Sequence, residues 1–168
     1  MSSLAIVCRL DGMPVDAAAL DAASARMAMR PHDAVGAWRS GAVAFAHVDL
    51  QTTPEAALDQ WPLVSADGTV TLVADLRLDN RAALIDELDL DADAQRGIGD
   101  GRLLLAAWQR WGESCPLHLA GDFAFAVWDA TKRVLFCARD HLGTRPFCYH
   151  LGPRLFAAAS DTRTLLAI

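Results

Sequence analysis

The residue best suited by type and position to nucleophilic chemistry is Ser2. Serine is small enough for Met1 to be removed. The hydroxyl and α-amino group of an N-terminal serine then make up the nucleophile and base of an N-terminal-nucleophile hydrolase. Many chains begin Met-Ser without catalytic purpose, so the residue alone decides nothing. Cys137, His141, Cys148 and His150 form a C-x3-H-x6-C-x-H series containing metal-ligand atoms. Its spacing is not that of a zinc knuckle, and cysteine and aromatic-flanked histidine are common core residues, so no metal is assigned. Gly97-Ile98-Gly99-Asp100-Gly101 precedes a helical segment but follows no strand and has no Lys-Ser/Thr partner, so a loop explains it better than a phosphate cradle. Gly-x-Ser-x-Gly, His-Glu-x-x-His and the P-loop pattern are all missing from the sequence, and with them the local signatures of ordinary serine hydrolases, metalloproteases and nucleotide-phosphate enzymes.

Strand-like and helix-like segments must position these residues. The apolar, β-branched run 4–10 ends in Asp11-Gly12 and predicts a strand. Residues 16–29, rich in alanine with Leu20, Met27 and Met29 spaced for one face, predict a helix stopped by Pro31. A second strand is expected over 41–50, and Asp67-Gly68 predicts a hairpin joining a short strand to another over 69–74. Asp79-Asn80 can cap a helix over 81–88, which an acidic loop over 86–93 follows. The segment 102–111 (RLLLAAWQRW), closed by Gly112, carries the clearest helical period. Beyond it the period changes to that of strands over 123–129, 133–139, 145–150 and 154–159, and a helix begins at Thr162. Hairpins rather than crossovers join the later strands, which are apolar on both faces. The expected architecture is α+β, a four-layer α/β/β/α sandwich of two antiparallel sheets covered by helices.

Composition limits the partners. The chain has 168 residues, 53% hydrophobic and 21% charged, which suits one globular domain over 1–168 and excludes disorder or a coiled coil. Of 15 basic residues only Lys132 is lysine, the arginines are scattered and the net charge is -6, so no basic stripe exists to bind nucleic acid. No apolar run is long enough for a membrane span and the N-terminus has no signal-peptide pattern, so a cytoplasmic protein with four reduced cysteines is expected.

Several segments in order resemble one family. Leu117-x-x-x-Gly121-Asp122-Phe123-Ala124-Phe125-Ala126-Val127-Trp128-Asp129 and Leu135-x-x-Ala138-Arg139-Asp140-x-x-Gly143-x-Arg145-Pro146-x-x-Tyr149 resemble L-x-G-x-F-A-F-A-x-W-D and A-R-D-x-x-G-x-K/R-P-L-Y-Y. These patterns belong to the N-terminal, class II glutamine amidotransferase domain of asparagine-synthetase-like proteins. Residues 1–12 overlay the family's start without a gap, Arg30-Pro31-His32-Asp33 resembles its R-G-P-D, and 101–112 resembles its helix ending in Trp-Gly. The resemblance spans the whole chain and implies the N-terminal-nucleophile hydrolase fold, the same four layers that the strand pairs predict.

The family releases ammonia from glutamine with an N-terminal cysteine thiol and passes it to a downstream synthetase domain. Here Ser2 stands at the cysteine position. Asp49 stands where the family's G-H-x-R-L places the arginine that holds the substrate carboxylate, inverting the charge. Asp75, Leu76 and Arg77 stand at the first three positions of N-G-E-I-Y-N. The first two of these help form the oxyanion hole, and losing such a donor costs about 10²–10³ in rate. Asp100 keeps the family's aspartate for the substrate ammonium. The framework is retained and the chemistry altered, the pattern of a glutaminase-silent domain similar to those of β-lactam synthetases and lasso-peptide cyclases.

This resemblance implies an asparagine-synthetase-like partner domain, in the same or a separate chain, and allows a homodimer. The C-terminal synthetase domain and its Ser-Gly-Gly-x-Asp-Ser pyrophosphate loop are absent from the sequence, so no cofactor is expected here, and ATP and magnesium are expected only with the synthetase. Two alternatives remain open on the residues: an active serine-type amidohydrolase using Ser2, and a ligand-binding or interaction module whose aspartate-lined pocket prefers amines.

Overall fold

The computed structural model describes residues 1–91 and 97–168. Two antiparallel sheets form its centre. The first has the order β2(Ala34–Ser40), β3(Val43–Asp49), β1(Ser3–Arg9), β9(Leu155–Ala159), β8(Cys148–Leu151), and the second β4(Leu63–Val64), β5(Val70–Leu78), β6(Gly121–Asp129), β7(Val134–Arg139). Helices α1(Ala17–Met27) and α4(Thr162–Leu165) cover the outer face of the first sheet, and α2(Arg81–Glu87) and α3(Asp100–Trp111) cover the second. The expected α/β/β/α sandwich is the observed one. No helix among the described residues is long and apolar enough to cross a membrane.

Strand alternation divides the core into three apolar layers. On β1, Ala5 and Val7 pack with Leu20, Ala23 and Met27 of α1, while Leu4, Ile6 and Cys8 face the other sheet and meet Val73 and Ala126. On β6, Phe123, Phe125 and Val127 turn outward to Leu103, Leu104 and Trp108 of α3. Phe45, Phe123 and Phe125 are at most 1% exposed, and each such burial contributes about 1.5–3 kcal/mol.

Several local expectations are corrected. β2 is a strand that the sequence reading passed over, because as an edge strand it exposes most of its residues, Val35 included, and shows no core pattern. β5 runs to Leu78 rather than stopping at Ala74, since Asp75 and Arg77 occupy the alternate face without ending the ladder to β6. The segment expected as a strand from 145 pairs only over β8. Asn80 stands at the start of α2 without capping it; its side chain bonds the carbonyl of His118 at 2.8 Å and the amide of Ala120 at 3.0 Å. Gly112, at φ 56°, does not end the chain's helical course, which continues as a 3-10 turn over Gly112–His118. Met29 lies beyond α1 and is 74% exposed. Part of the expected acidic loop, residues 92–96, lies outside the described residues.

Candidate functional site

The inner faces of the sheets are apolar in the middle and polar at one end. Along β3 the inward positions read Val43, Phe45, His47, Asp49, and along β1 they read Cys8, Ile6, Leu4 and then Ser2. Across from them β5 contributes Val73, Asp75 and Arg77. This end forms a cleft walled by Ser2, Asp49, Asp75, Leu76, Arg77 and Asp100, with Arg145 and Trp61 joining them. The structure thus gathers all six residues singled out by sequence. Its free volume is about 30 Å³, room for one or two water-sized spheres.

Ser2 is fixed by the first sheet. Its Oγ donates to Asp49 Oδ1 at 2.9 Å and accepts from the Leu50 N–H at 3.0 Å. The position follows from register, because Ser3 pairs with Val48 and the next pair outward places Ser2 beside Asp49. Asp49, only 4% exposed, therefore has its nearest donor in the candidate nucleophile itself.

Asp75 is also buried, and burial is the main reason its carboxyl is pushed up to about 6. The charges of Arg145 and the N-terminal amine and a bond from the Ser2 backbone oppose that rise, while Asp49 adds to it. Arg145 lies 3.4 Å from Asp75, both side chains being almost completely covered. The backbone of Arg145 is held by Asp140, whose carboxylate accepts from Thr144 N at 2.8 Å and Arg145 N at 3.0 Å. Those amide bonds outweigh its burial and hold Asp140 down at about 2.

Asp100 is not free to receive a substrate. Its Oδ2 accepts the Leu78 N–H at 2.9 Å, and its Oδ1 is paired with Arg81, which also donates to the carbonyl of Ile98 at 2.7 Å. Arg77 is half exposed and turned to Asp79 at 3.1 Å and Asp122 at 3.7 Å, its cross-strand neighbour. Leu76 sends its side chain outward into the core beneath α3. The cleft is therefore not uniformly acidic, as the aspartates alone implied: Arg145 compensates Asp75, and Arg81 compensates Asp100. Asp49 is the carboxylate whose polar partners come from Ser2 rather than from a cation.

Sequence reasoning missed Arg145, His47, Asp59 and Trp61. Arg145 was quoted within a motif, but nothing local revealed that it reaches Asp75 across 70 residues of chain. His47 was visible as a lone histidine in the apolar run AVAFAHVD; it is 1% exposed, its Nε2 lies 2.8 Å from the Ala74 carbonyl, and burial lowers it to about 4. Of the C-x3-H-x6-C-x-H series, Cys148 lies near Thr162. Among the described residues no three His, Cys, Asp or Glu side chains gather for a metal.

Residues 1–168 match the glutamine amidotransferase domain family over their whole length. The chain belongs to that family. This amidotransferase-family domain is 31% identical over 149 residues to asparagine synthetase [glutamine-hydrolyzing] 3 of Bacillus subtilis, covering 88% of the chain and 24% of that protein. It is 28% identical over 147 residues to amidase chry2 of Gibberella zeae, covering 84% of the chain and 21% of that protein. The domain thus spans about a quarter or less of the length of these curated relatives. In fold it is similar to the glutamine phosphoribosylpyrophosphate amidotransferase of B. subtilis, with a TM-score of 0.69 at 17% identity, covering 98% of the domain and 43% of that chain.

Proposed function

We propose that this domain is a glutaminase-silent amidotransferase-like module that supports an ATP-dependent, amide-forming synthetase domain of the asparagine-synthetase or lasso-cyclase kind. One observation carries the proposal: Ser2 stands where the family has its thiol, and its Oγ is bonded to a buried carboxylate, Asp49, where the family has the arginine that receives the substrate carboxylate. A glutamine entering here meets like charge at the end that must be held. A serine hydroxyl is also a weaker nucleophile than a thiolate. The oxyanion position is taken by Asp75, committed to Arg145. The B. subtilis relative is named a glutamine-hydrolysing asparagine synthetase and is about four times as long as the matched domain, which supports assigning the amide-forming step, with its ATP and magnesium, to a partner domain. A partner supplied with an amine from its own substrate has no need of ammonia.

Ammonia release from glutamine tests this, using protein whose Met1 removal has been verified by intact mass. No turnover is expected from the wild type or from Ser2→Cys, because Asp49 and the Asp75–Arg145 pair persist in both. Hydrolysis by the wild type that Ser2→Ala abolishes, or robust hydrolysis by Ser2→Cys alone, overturns the proposal.

The 2.9 Å bond from Ser2 to Asp49 favours a second reading, a serine-type amidohydrolase with a cationic rather than zwitterionic substrate. In that case a blocked α-amine abolishes hydrolysis of positively charged amides, whereas the silent domain hydrolyses none.

A further inference from the structure

A second cavity, of about 430 Å³, adjoins the Ser2 cleft and shares Asp49, Asp59 and Trp61 with it as a common wall. That volume lies within the range of small-molecule sites. Ala34, His47 and Gln60 complete the part of the wall that matters here. Gly36 shapes it: a Cβ at this position would strike the carbonyl of Trp61, so glycine lets the Trp61 segment lie over β2. The Trp61 ring then rests 5.1 Å from the His47 ring.

Gln51, Gln60 and Trp61 bring side-chain N–H donors to this wall, but its buried unpartnered atoms are both acceptors. Asp59, 5% exposed, uses Oδ2 to accept the Gly101 N–H at 2.7 Å, while its Oδ1 is buried without a partner. His47 donates through Nε2 to the Ala74 carbonyl, which can only accept, so the neutral ring leaves Nδ1 as a lone pair. That atom is likewise buried without a partner. Asp49 adds a second carboxylate and Trp61 an aromatic face, and among the described residues no arginine or lysine lines the cavity, the Arg102 charge that acts on Asp59 lying outside its wall. Unmet buried acceptors are costly, and a donor-bearing cation relieves them while an anion aggravates them. An aromatic face also favours a cation.

We propose that this cavity binds a small organic cation, a primary ammonium or guanidinium on a short apolar stem, with the charged group between Asp59 and Asp49 and the stem against Trp61. A metal ion is the poorer occupant, because among the described residues no three ligating side chains converge. The site does not depend on whether Ser2 hydrolyses anything.

Isothermal titration calorimetry with agmatine and n-butylamine tests the proposal, with n-butanol and butyrate as neutral and anionic counterparts. Saturable one-to-one binding of the two amines, and none of the counterparts, is expected. Asp59→Asn keeps an oxygen for the Gly101 amide and should weaken agmatine at least about tenfold. Ala34→Lys provides a second variant on an exposed edge position that the fold tolerates. Residue 34 pairs directly with Asp49 in the β2–β3 ladder, so a lysine there shares its face and tethers an ammonium inside the cavity. Agmatine binding should be lost in that variant, whose folding is checked by circular dichroism. Three results overturn the site: no saturation by about 10 mM amine, unchanged binding in Ala34→Lys, or displacement of agmatine by magnesium or calcium chloride.

Discussion

His47 and Asp75 link folding to pH in opposite directions, and separating them produces profiles of opposite sign. Burial holds His47 at about 4 in the folded protein against an ordinary 6.5, and raises Asp75 to about 6 against an ordinary 3.8. The unfolded chain therefore protonates His47 first, so its contribution to stability is complete above pH 6.5 and is lost as pH falls toward 4. Asp75 binds its proton more tightly when folded, so stability is gained as pH falls through 6 and the gain is complete below 3.8. At about 1.4 kcal/mol for each tenfold difference in proton affinity, each group is worth roughly 3 kcal/mol. Both residues are at most 5% exposed, so solvent screening does not reduce these values much. In the wild type the two oppose each other between pH 7 and 4.

Urea unfolding at steps from pH 7 to 4 reads the effect. Asp75→Asn should lose about 3 kcal/mol across that range, and His47→Gln, which keeps an N–H for the Ala74 carbonyl, should gain about 3 kcal/mol. Asp75→Asn resembles the neutral carboxyl that the folded protein favours below pH 6 and removes the charge that faces Arg145 above it, so the slope and not the intercept is compared. Other carboxylates held low by hydrogen bonds, such as Asp140, lose their contribution mainly below pH 4 and are common to all three proteins. Slopes of the same sign in the two variants, or a flat profile in Asp75→Asn, would refute the opposed linkages.

Gly36→Ala should destabilise the fold by about 1–3 kcal/mol and alter the near-ultraviolet circular dichroism, because the added methyl displaces the Trp61 carbonyl. Phe125→Ala removes a ring that is fully covered beneath α3 and should cost about 3–5 kcal/mol in urea unfolding. Asp140→Ala leaves the amides of Phe123, Thr144 and Arg145 without their acceptor and should cost about 3 kcal/mol, while flattening the loss of stability that the wild type shows from pH 4 down to 2.

The sandwich was legible because each layer boundary leaves a period in the sequence. On β1 and β6 both faces are buried, one against helices and one against the other sheet, so their segments read as continuous apolar runs. β2 was illegible for the converse reason: its outer edge faces solvent, and its residues 34–40 carry no pattern that burial would impose. The site residues were legible only through motif resemblance, since nothing in a run such as VADLRL marks Asp75 as inward and Leu76 as outward until β5 is paired with β6. Partners were less legible still. Arg145, Arg81 and Arg77 are three of many scattered arginines, and only the folded chain shows that each answers a particular aspartate.

That pairing changes what the substituted residues mean. Carboxylates at 49, 75 and 100 on one wall would repel one another in an unsupported cleft. Arg145 and Arg81 neutralise two of them from behind, on elements outside the inner sheet faces, and Ser2 donates to the third. The carboxylates of the cleft are thus answered from within the chain, while Arg145 Nε is left as a buried donor without a hydrogen-bond partner. A glutamine would have to displace these bonds, and the cation that lines the cleft, Arg145, is already paired with Asp75. The adjoining cavity is the opposite case: Asp59 Oδ1 and His47 Nδ1 are acceptors that the fold leaves unanswered. By this contrast the unanswered atom of Arg145 is a donor, whereas those of Asp59 and His47 are acceptors, and the capacity behind Trp61 is one for cations.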